Sequence, residues 1–325
     1  MTVSQTRSST ETKTPSNFIT NKLINAAKRG DTDEVFKLLN RTDASPLVVD
    51  SIGKSVSIYF AYFNNGGAVV RLAQQAPEVL HQQDSFGRTP VQWLAIHGNG
   101  NAVLALAEIE SRVLTHADKE GKTPLMMLSK YDNTRNKNTK TSLGLEVLLG
   151  LSQAPCALEE KLNALRPDLL TQTDVYGRTV ALNLAEFGDA DVIIALALKS
   201  PFVLNQTCNM GANMAIWLAM RECHTAVVEL AEYMPSDVLE VTDNDGLTVG
   251  AWLARNGASD ALRVLADIYL AVKEQPGIVE QAVKVQNAPL ANQLIRAGFA
   301  LPNDFAALVD EMGLKHADVG LIEVS

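Results

Sequence analysis

Apolar positions recur along this chain in a fixed order, with polar turn segments between them. A leucine–alanine pair comes first, a proline often follows five residues after the leucine, and an apolar pair such as Val79-Leu80 comes next. The leucine–alanine pairs are Leu72-Ala73, Leu106-Ala107, Leu196-Ala197, Leu230-Ala231 and Leu265-Ala266, and the prolines are Pro77, Pro167, Pro201 and Pro235. Because proline cannot continue a helix, the pattern predicts a helix that carries each pair and ends near the proline.

A polar phrase, typically Asp-x-x-Gly-x-Thr, precedes each of these helices. Its glycines are Gly53, Gly87, Gly121, Gly177, Gly211 and Gly246, with spacings of 34, 34, 56, 34 and 35 residues. Glycine can adopt the positive φ that a tight turn requires. Two residues after the glycines stand residues that cap helix N-termini well, namely Ser55, Thr89, Thr123, Thr179, Asn213 and Thr248. Each unit is therefore predicted to be a turn, a first helix, a second turn and a second helix.

A period in the thirties is typical of helical solenoids. The segments DSFGRTPVQWLAIHGNGNAVLALA, DKEGKTPLMMLS and DVYGRTVALNLAEFGDADVIIALA resemble ankyrin repeats, which follow D-x-x-G-x-T-P-L-H-x-A-A-x-x-G. The resemblance covers about residues 17–300 and implies an all-α, ankyrin-like helical repeat solenoid. Gln92, Met126 and Leu182 replace the family's histidine, and P-x-V-L replaces its Gly-Ala-Asp ending. We therefore expect short or poorly formed hairpins between the helix pairs.

The pattern also divides the chain. Residues 1–16 are polar and are predicted to form a disordered N-terminal tail. Residues 17–49 are predicted to be an N-terminal capping helix pair, and residues 50–278 to hold ankyrin-like repeats starting near 50, 84, 118, 174, 208 and 243. Residues 279–325 are predicted to be C-terminal capping helices and a tail. The long spacing contains an insertion at 131–152, which is either a binding element or a tolerated decoration.

Composition limits the class of protein. The net charge of −9 disfavours nucleic-acid binding, although residues 1–162 carry 18 basic and 16 acidic side chains and residues 163–325 carry 10 and 21. The three cysteines have no CxxC spacing, which indicates reduced thiols. No apolar stretch reaches the roughly 20 residues of a membrane span, and no signal peptide is visible, so a cytoplasmic protein is expected.

Degenerate ankyrin arrays of this kind also resemble ankyrin proteins of intracellular bacteria. Some of those proteins are translocated into a host cell as effectors.

The sequence offers no specific catalytic constellation. Gly121-Lys122-Thr123 matches the end of a P-loop, but His116 occupies the place of that loop's first glycine. The histidines lack metal-ligand spacing, the turn aspartates are explained by bonds to their own turns, and Cys208 has no activating base nearby in sequence. We therefore predict a protein that is not an enzyme and uses no cofactor, metal or small-molecule substrate. The alternative is an enzyme, or an enzyme-associated module, with its activity in the insertion or the C-terminal segment.

Ankyrin repeats bind partners along their turn tips and first helices, so the variable positions there are the candidate partner-binding residues. These are Lys54, Phe86, Arg88, His97, Lys122, Tyr131, Tyr176, Arg178, Phe187 and Arg221. Four of them, Lys54, Arg88, Lys122 and Arg178, share one turn position and form either a solvated rim or a docking strip for an acidic protein segment. The three tryptophans share a mid-helix position and are interpreted as packing residues, with partner-contact residues as the alternative. The expected function is a scaffold for protein–protein interaction.

Overall fold

The computed structural model of the protein describes residues 17–41, 44–135, 167–187 and 190–319. Within these ranges the regular secondary structure is helical, and β-pairing is limited to two isolated bridges, Val49 with Ser55 and Thr207 with Asn213. The prediction of an all-α fold is therefore confirmed. The predicted tail at 1–16 and most of the insertion at 131–152 lie outside the described residues.

The helices follow the predicted order of a first and a second helix in each unit. The α-helices are α1 (Asn17–Lys28), α2 (Thr32–Arg41), α3 (Val56–Tyr62), α4 (Gly66–Gln75), α5 (Pro90–Ile96), α6 (Gly100–Ile109), α7 (Pro124–Arg135), α8 (Pro167–Thr171), α9 (Val180–Phe187), α10 (Ala190–Lys199), α11 (Met214–Met220), α12 (His224–Ala231), α13 (Ser236–Glu240), α14 (Val249–Arg255), α15 (Ser259–Ile268), α16 (Pro276–Lys284), α17 (Ala288–Arg296) and α18 (Phe305–Glu311). Single 3-10 turns lie at Pro77–His81, Ser111–Leu114, Pro201–Asn205, Leu270–Glu274 and His316–Val319.

The predicted turn and cap chemistry is confirmed in every unit. All six phrase glycines have positive φ, between 73° and 78°. All six predicted capping side chains accept a hydrogen bond from the backbone N–H three residues later. At Thr89 the Gln92 side chain also accepts from the Thr89 N–H, which completes a capping box. Local sequence therefore sets where each first helix begins.

Packing joins the helices in chain order. Among the first helices, α3 contacts α5, α5 contacts α7, α7 contacts α9, α9 contacts α11, α11 contacts α14, and α14 contacts α16. Among the second helices, α4 contacts α6, α10 contacts α12, and α12 contacts α15. The leucine of each leucine–alanine pair named above is fully buried in one continuous hydrophobic core. Burying such a side chain stabilises the fold by about 1.5–3 kcal/mol.

Two element boundaries differ from the predictions. α7 extends to Arg135, so its last turn runs into the predicted insertion. The first C-terminal helix, α16, begins at Pro276 rather than at 279, since proline occupies the helix's first position, where no N–H is needed. None of the described helices is both long enough and apolar enough to cross a bilayer.

Candidate functional site

Each turn aspartate closes its own turn. Its Oδ1 atom accepts hydrogen bonds from the backbone N–H groups two and four residues later; at Asp84 the donors are Phe86, at 2.8 Å, and Arg88, at 2.9 Å. The same two bonds form at Asp50, Asp118, Asp174 and Asp243. The interpretation of these aspartates as turn-forming residues is confirmed. Within the described ranges, no three His, Cys, Asp or Glu side chains group as a metal site would require.

Successive turns are also bonded to each other, so they form what we call the turn row. From the turn at Asp118 onward, one backbone N–H of each turn donates to a backbone carbonyl of the preceding turn. The donor–acceptor pairs are Lys119 with Phe86, Val175 with Glu120, Asn209 with Tyr176 and Asn244 with Met210, at 3.1, 2.9, 2.9 and 2.8 Å. The second pair joins turns that are 56 residues apart in sequence. These bonds therefore fix the variable residues of five consecutive turns in position relative to one another.

In three of the units the second carboxylate oxygen of the turn aspartate accepts a hydrogen bond from an aromatic side chain nine residues later. Tyr59 Oη donates to Asp50 at 2.6 Å, and the indole N–H groups of Trp93 and Trp252 donate to the turn aspartates of their own units at 3.0 and 2.7 Å. Burial and this bond together raise the pKa of Tyr59 to about 12. The interpretation of the tryptophans as packing residues missed this polar role, although the nine-residue spacing was visible in the sequence.

Cys208 breaks this arrangement in the fifth unit. Trp217 occupies the aromatic position, but its buried indole N–H has no hydrogen-bond partner within the described structure. Cysteine offers no carboxylate to accept it, because thiol sulfur is only a weak acceptor. A buried donor without an acceptor costs about 1–3 kcal/mol.

We expect Cys208→Asp to raise the free energy of unfolding by about 1–2 kcal/mol. The new carboxylate would accept from the N–H groups of Met210 and Ala212 and from the Trp217 indole. Asp243 already accepts hydrogen bonds from the three corresponding groups, namely two turn N–H groups and the indole of Trp252. Like Cys208, it has no cation four residues later in the sequence. Urea denaturation monitored by circular dichroism measures the change. The gain should shrink in a Trp217→Phe background, and a loss of stability in Cys208→Asp alone would contradict this interpretation.

The units at Asp118 and Asp174 lack the aromatic partner and use arginine instead. Met127 and Asn183 stand at the aromatic position. Arg178 donates from Nε to Asp174 Oδ2 at 3.1 Å and also pairs with Glu186. Arg88, from the preceding unit, approaches Asp118, but its Nε lies 3.7 Å from Oδ2, which is too far for a hydrogen bond. The guanidinium group of Arg178 is therefore well supplied with acceptors, whereas that of Arg88 is not.

The predicted strip of four cations is only partly a free positive surface. Arg178 is held by Asp174 and Glu186, and Lys122 Nζ lies 2.7 Å from Glu120. The hydrogen bond from Lys122, reinforced by its charge, lowers the pKa of Glu120. Three of the four cations nevertheless converge, since Arg88, Lys122 and Arg178 line one cavity of about 400 Å³.

Lys54, the fourth cation, lies instead in an aromatic cluster with Tyr62, Phe63, Trp93 and His97. Its ammonium is 4.8 Å from the centre of the Tyr62 ring, which packs edge-on against Trp93 at 5.2 Å. His97 stacks on Trp93 at 6.3 Å. Tyr62 and Phe63 are 43% and 50% exposed, so this cluster presents aromatic surface to solvent.

Of the five remaining candidate residues, the structure describes the side chains of three. Phe86 and Tyr176 are 59% and 55% exposed at turn tips, and the guanidinium groups of Arg88 and Arg178 lie 5.0 and 4.8 Å from their rings. Arg221 is exposed directly after α11. Tyr131 and Phe187 belong to α7 and α9, but their side chains lie outside the described structure.

A comparison of the chain with protein-family models gives no match, and a comparison with curated proteins gives none either.

Proposed function

We propose that the chain is an ankyrin-like repeat solenoid that acts as a non-catalytic scaffold and binds another protein. The binding face consists of the turn row and the adjacent ends of the first helices. The observation that supports this proposal most strongly is that exposed aromatic rings lie on turns whose positions relative to each other are fixed by hydrogen bonds. Phe86 and Tyr176 project from turns that backbone hydrogen bonds hold in a fixed series.

Aromatic and arginine side chains supply most of the binding energy in protein interfaces. Each exposed turn ring lies beside an arginine, and Arg178, next to Tyr176, is held by the aspartate of its own turn, so little side-chain entropy is lost there on binding. The aromatic cluster around Trp93 extends this surface at the neighbouring first-helix ends. A partner that crosses several turns would therefore meet a preorganised row of anchors.

The proposal is tested by capture of partner proteins with two matched triple variants, followed by mass spectrometry. The face variant combines Tyr62→Ala, Phe86→Ala and Tyr176→Ala. The control combines Phe202→Ala, Tyr233→Ala and Leu270→Ala, which are exposed residues outside the turn row and the first helices. We expect the face variant to lose a specific partner by about thirtyfold or more, as the loss of a single hot-spot contact would already predict.

The control variant should retain that partner, and both variants should keep the wild-type melting temperature within a few degrees. A partner retained by the face variant, or lost equally by the control, would contradict the proposed binding face. Charge reversal of Arg178 is unsuitable for this test, since Arg178 neutralises Asp174, whose side chain is fully buried. Loss of that pair would lower stability as well as binding.

A further inference from the structure

The cavity of about 400 Å³ that we call the ionic cavity lies between α5, α7 and α9. Its charged lining consists of Arg88, Lys122, Lys130 and Arg178 with Asp118 and Glu186. Met126 and Met127 add apolar surface. The cavity occurs where two consecutive units lack the aromatic residue of the other four, because Met127 and Asn183 occupy that position.

The cations of the ionic cavity differ in how fully they are paired. Arg178 forms ion pairs with Asp174 and Glu186, and Lys122 forms an ion pair with Glu120. The Nε atom of Arg88 is buried and has no hydrogen-bond partner within the described structure. Lys130 is exposed and forms no ion pair with any residue that the structure describes. Arg88 and Lys130 are therefore the donors that remain for a guest.

Arg88 lines the cavity and its side chain is 25% exposed, so a guest would approach the guanidinium from its accessible side rather than at the buried Nε. An anionic acceptor is favoured there, since hydrogen bonds between charged groups are the strongest in proteins. Asp118 does not meet this need, because its distance from Nε is 3.7 Å and its Oδ1 already accepts two backbone N–H groups. The neighbouring side chains Ile96, Met126 and Met127 provide apolar contacts for a short methylene stem.

We propose that the ionic cavity binds a glutamate side chain of the partner protein, with the carboxylate between Arg88 and Lys130. This inference rests on the proposed scaffold function and narrows it to a partner with an acidic segment. The partner's glutamate would enter from the first-helix face, beside the exposed rings of the turn row. Glutamate fits better than a compact inorganic anion, because its methylenes occupy the space next to Met127.

The fold supplies a variant that closes the cavity without removing a charge. Tryptophan stands at the position of Met127 in three other units, and in two of them its indole N–H bonds to the turn aspartate. Met127→Trp should therefore fill the space and donate to Asp118 while the helices stay in place. Arg88→Gln removes the unpaired donor directly, and Lys284→Gln, on α16, is the control for the loss of one positive charge.

The experiment measures fluorescence anisotropy of a fluorescein-labelled hexaglutamate peptide with the full chain. We expect saturable binding by wild type, and at least tenfold weaker binding by both Met127→Trp and Arg88→Gln, which matches the loss of one charge-assisted hydrogen bond. Lys284→Gln should bind as wild type does. A labelled hexaglutamine peptide should not bind, and inorganic phosphate should not displace the probe at equal concentration.

Several results would overturn the inference. These are the absence of hexaglutamate binding, equal binding of hexaglutamine, displacement by phosphate, or unchanged affinity in Met127→Trp. The proposed scaffold function is judged separately. A partner that is lost from the aromatic face variant but retained by Met127→Trp would leave the scaffold function standing and remove the glutamate site.

Discussion

Replacing Gly177 with alanine is expected to lower the free energy of unfolding by about 3 kcal/mol. Gly177 has φ of +73°, where an L-residue loses about 1–2 kcal/mol. A Cβ atom at this position would also lie 2.9 Å from the backbone nitrogen of Asn209, in the next turn. That nitrogen donates to Tyr176, so the substitution strains one turn and also pushes its neighbour away.

Two other glycines separate these two effects. Gly53 has φ of +78°, but a Cβ atom there would meet no other atom within 4 Å, so Gly53→Ala should cost about 1–2 kcal/mol. Gly67 lies in α4, has no positive φ and has open space around it, so Gly67→Ala should be neutral or stabilising by up to about 1 kcal/mol.

Urea denaturation monitored by circular dichroism ranks the three variants, and hydrogen exchange reports on the turn row directly. The amide of Asn209 should exchange faster in Gly177→Ala than in Gly53→Ala, because only the first substitution disturbs its bond to Tyr176. Equal stability losses at Gly53 and Gly177 would show that contact between the turns adds nothing to the cost.

Asp174→Ala is expected to cost about 3–5 kcal/mol, the range for breaking one side of a buried ion pair. Its carboxylate is fully buried, accepts from the N–H groups of Tyr176 and Arg178, and pairs with the Arg178 guanidinium. Alanine would leave both N–H groups without that acceptor, and Arg178 would be held only by Glu186. Urea denaturation at neutral pH measures the loss.

Asp174→Asn and Asp245→Ala are the matched variants. Asparagine keeps an acceptor for the turn but not the charge, so it should lose less than alanine does. Asp245 is exposed on the turn at Asp243, and its substitution should change stability by no more than about 0.5 kcal/mol. If Asp174→Ala is no worse than Asp245→Ala, the buried pair does not stabilise this turn.

The predictions that succeeded concern interactions within a few residues. The bond from Phe86 N–H to Asp84, the cap at Thr89 and the positive φ of Gly87 all depend on short segments. Such contacts can be read from residue type and spacing, because the groups involved are brought together by the turn itself.

The features of the candidate site depend on contacts between units, and these were not predicted. Arg88 and Arg178 share a sequence position, yet one lies loosely against the next turn's aspartate and the other is held by its own. The difference arises because Trp93 on α5 donates to the second carboxylate oxygen of Asp84, whereas Arg178 takes the corresponding oxygen of Asp174. No pattern in the isolated segments distinguishes a free cation from a paired one.

The sequence by itself determined the all-α class, the helix starts and the turn chemistry, since these arise from local backbone preferences and a repeated apolar pattern. The tertiary structure alone decided which cations are paired, where Lys54 lies and that a cavity opens beside Met127. The physical reason is distance: ion pairing and cavity formation depend on ångström-scale positions of side chains from different units, which packing fixes only after the helices have assembled.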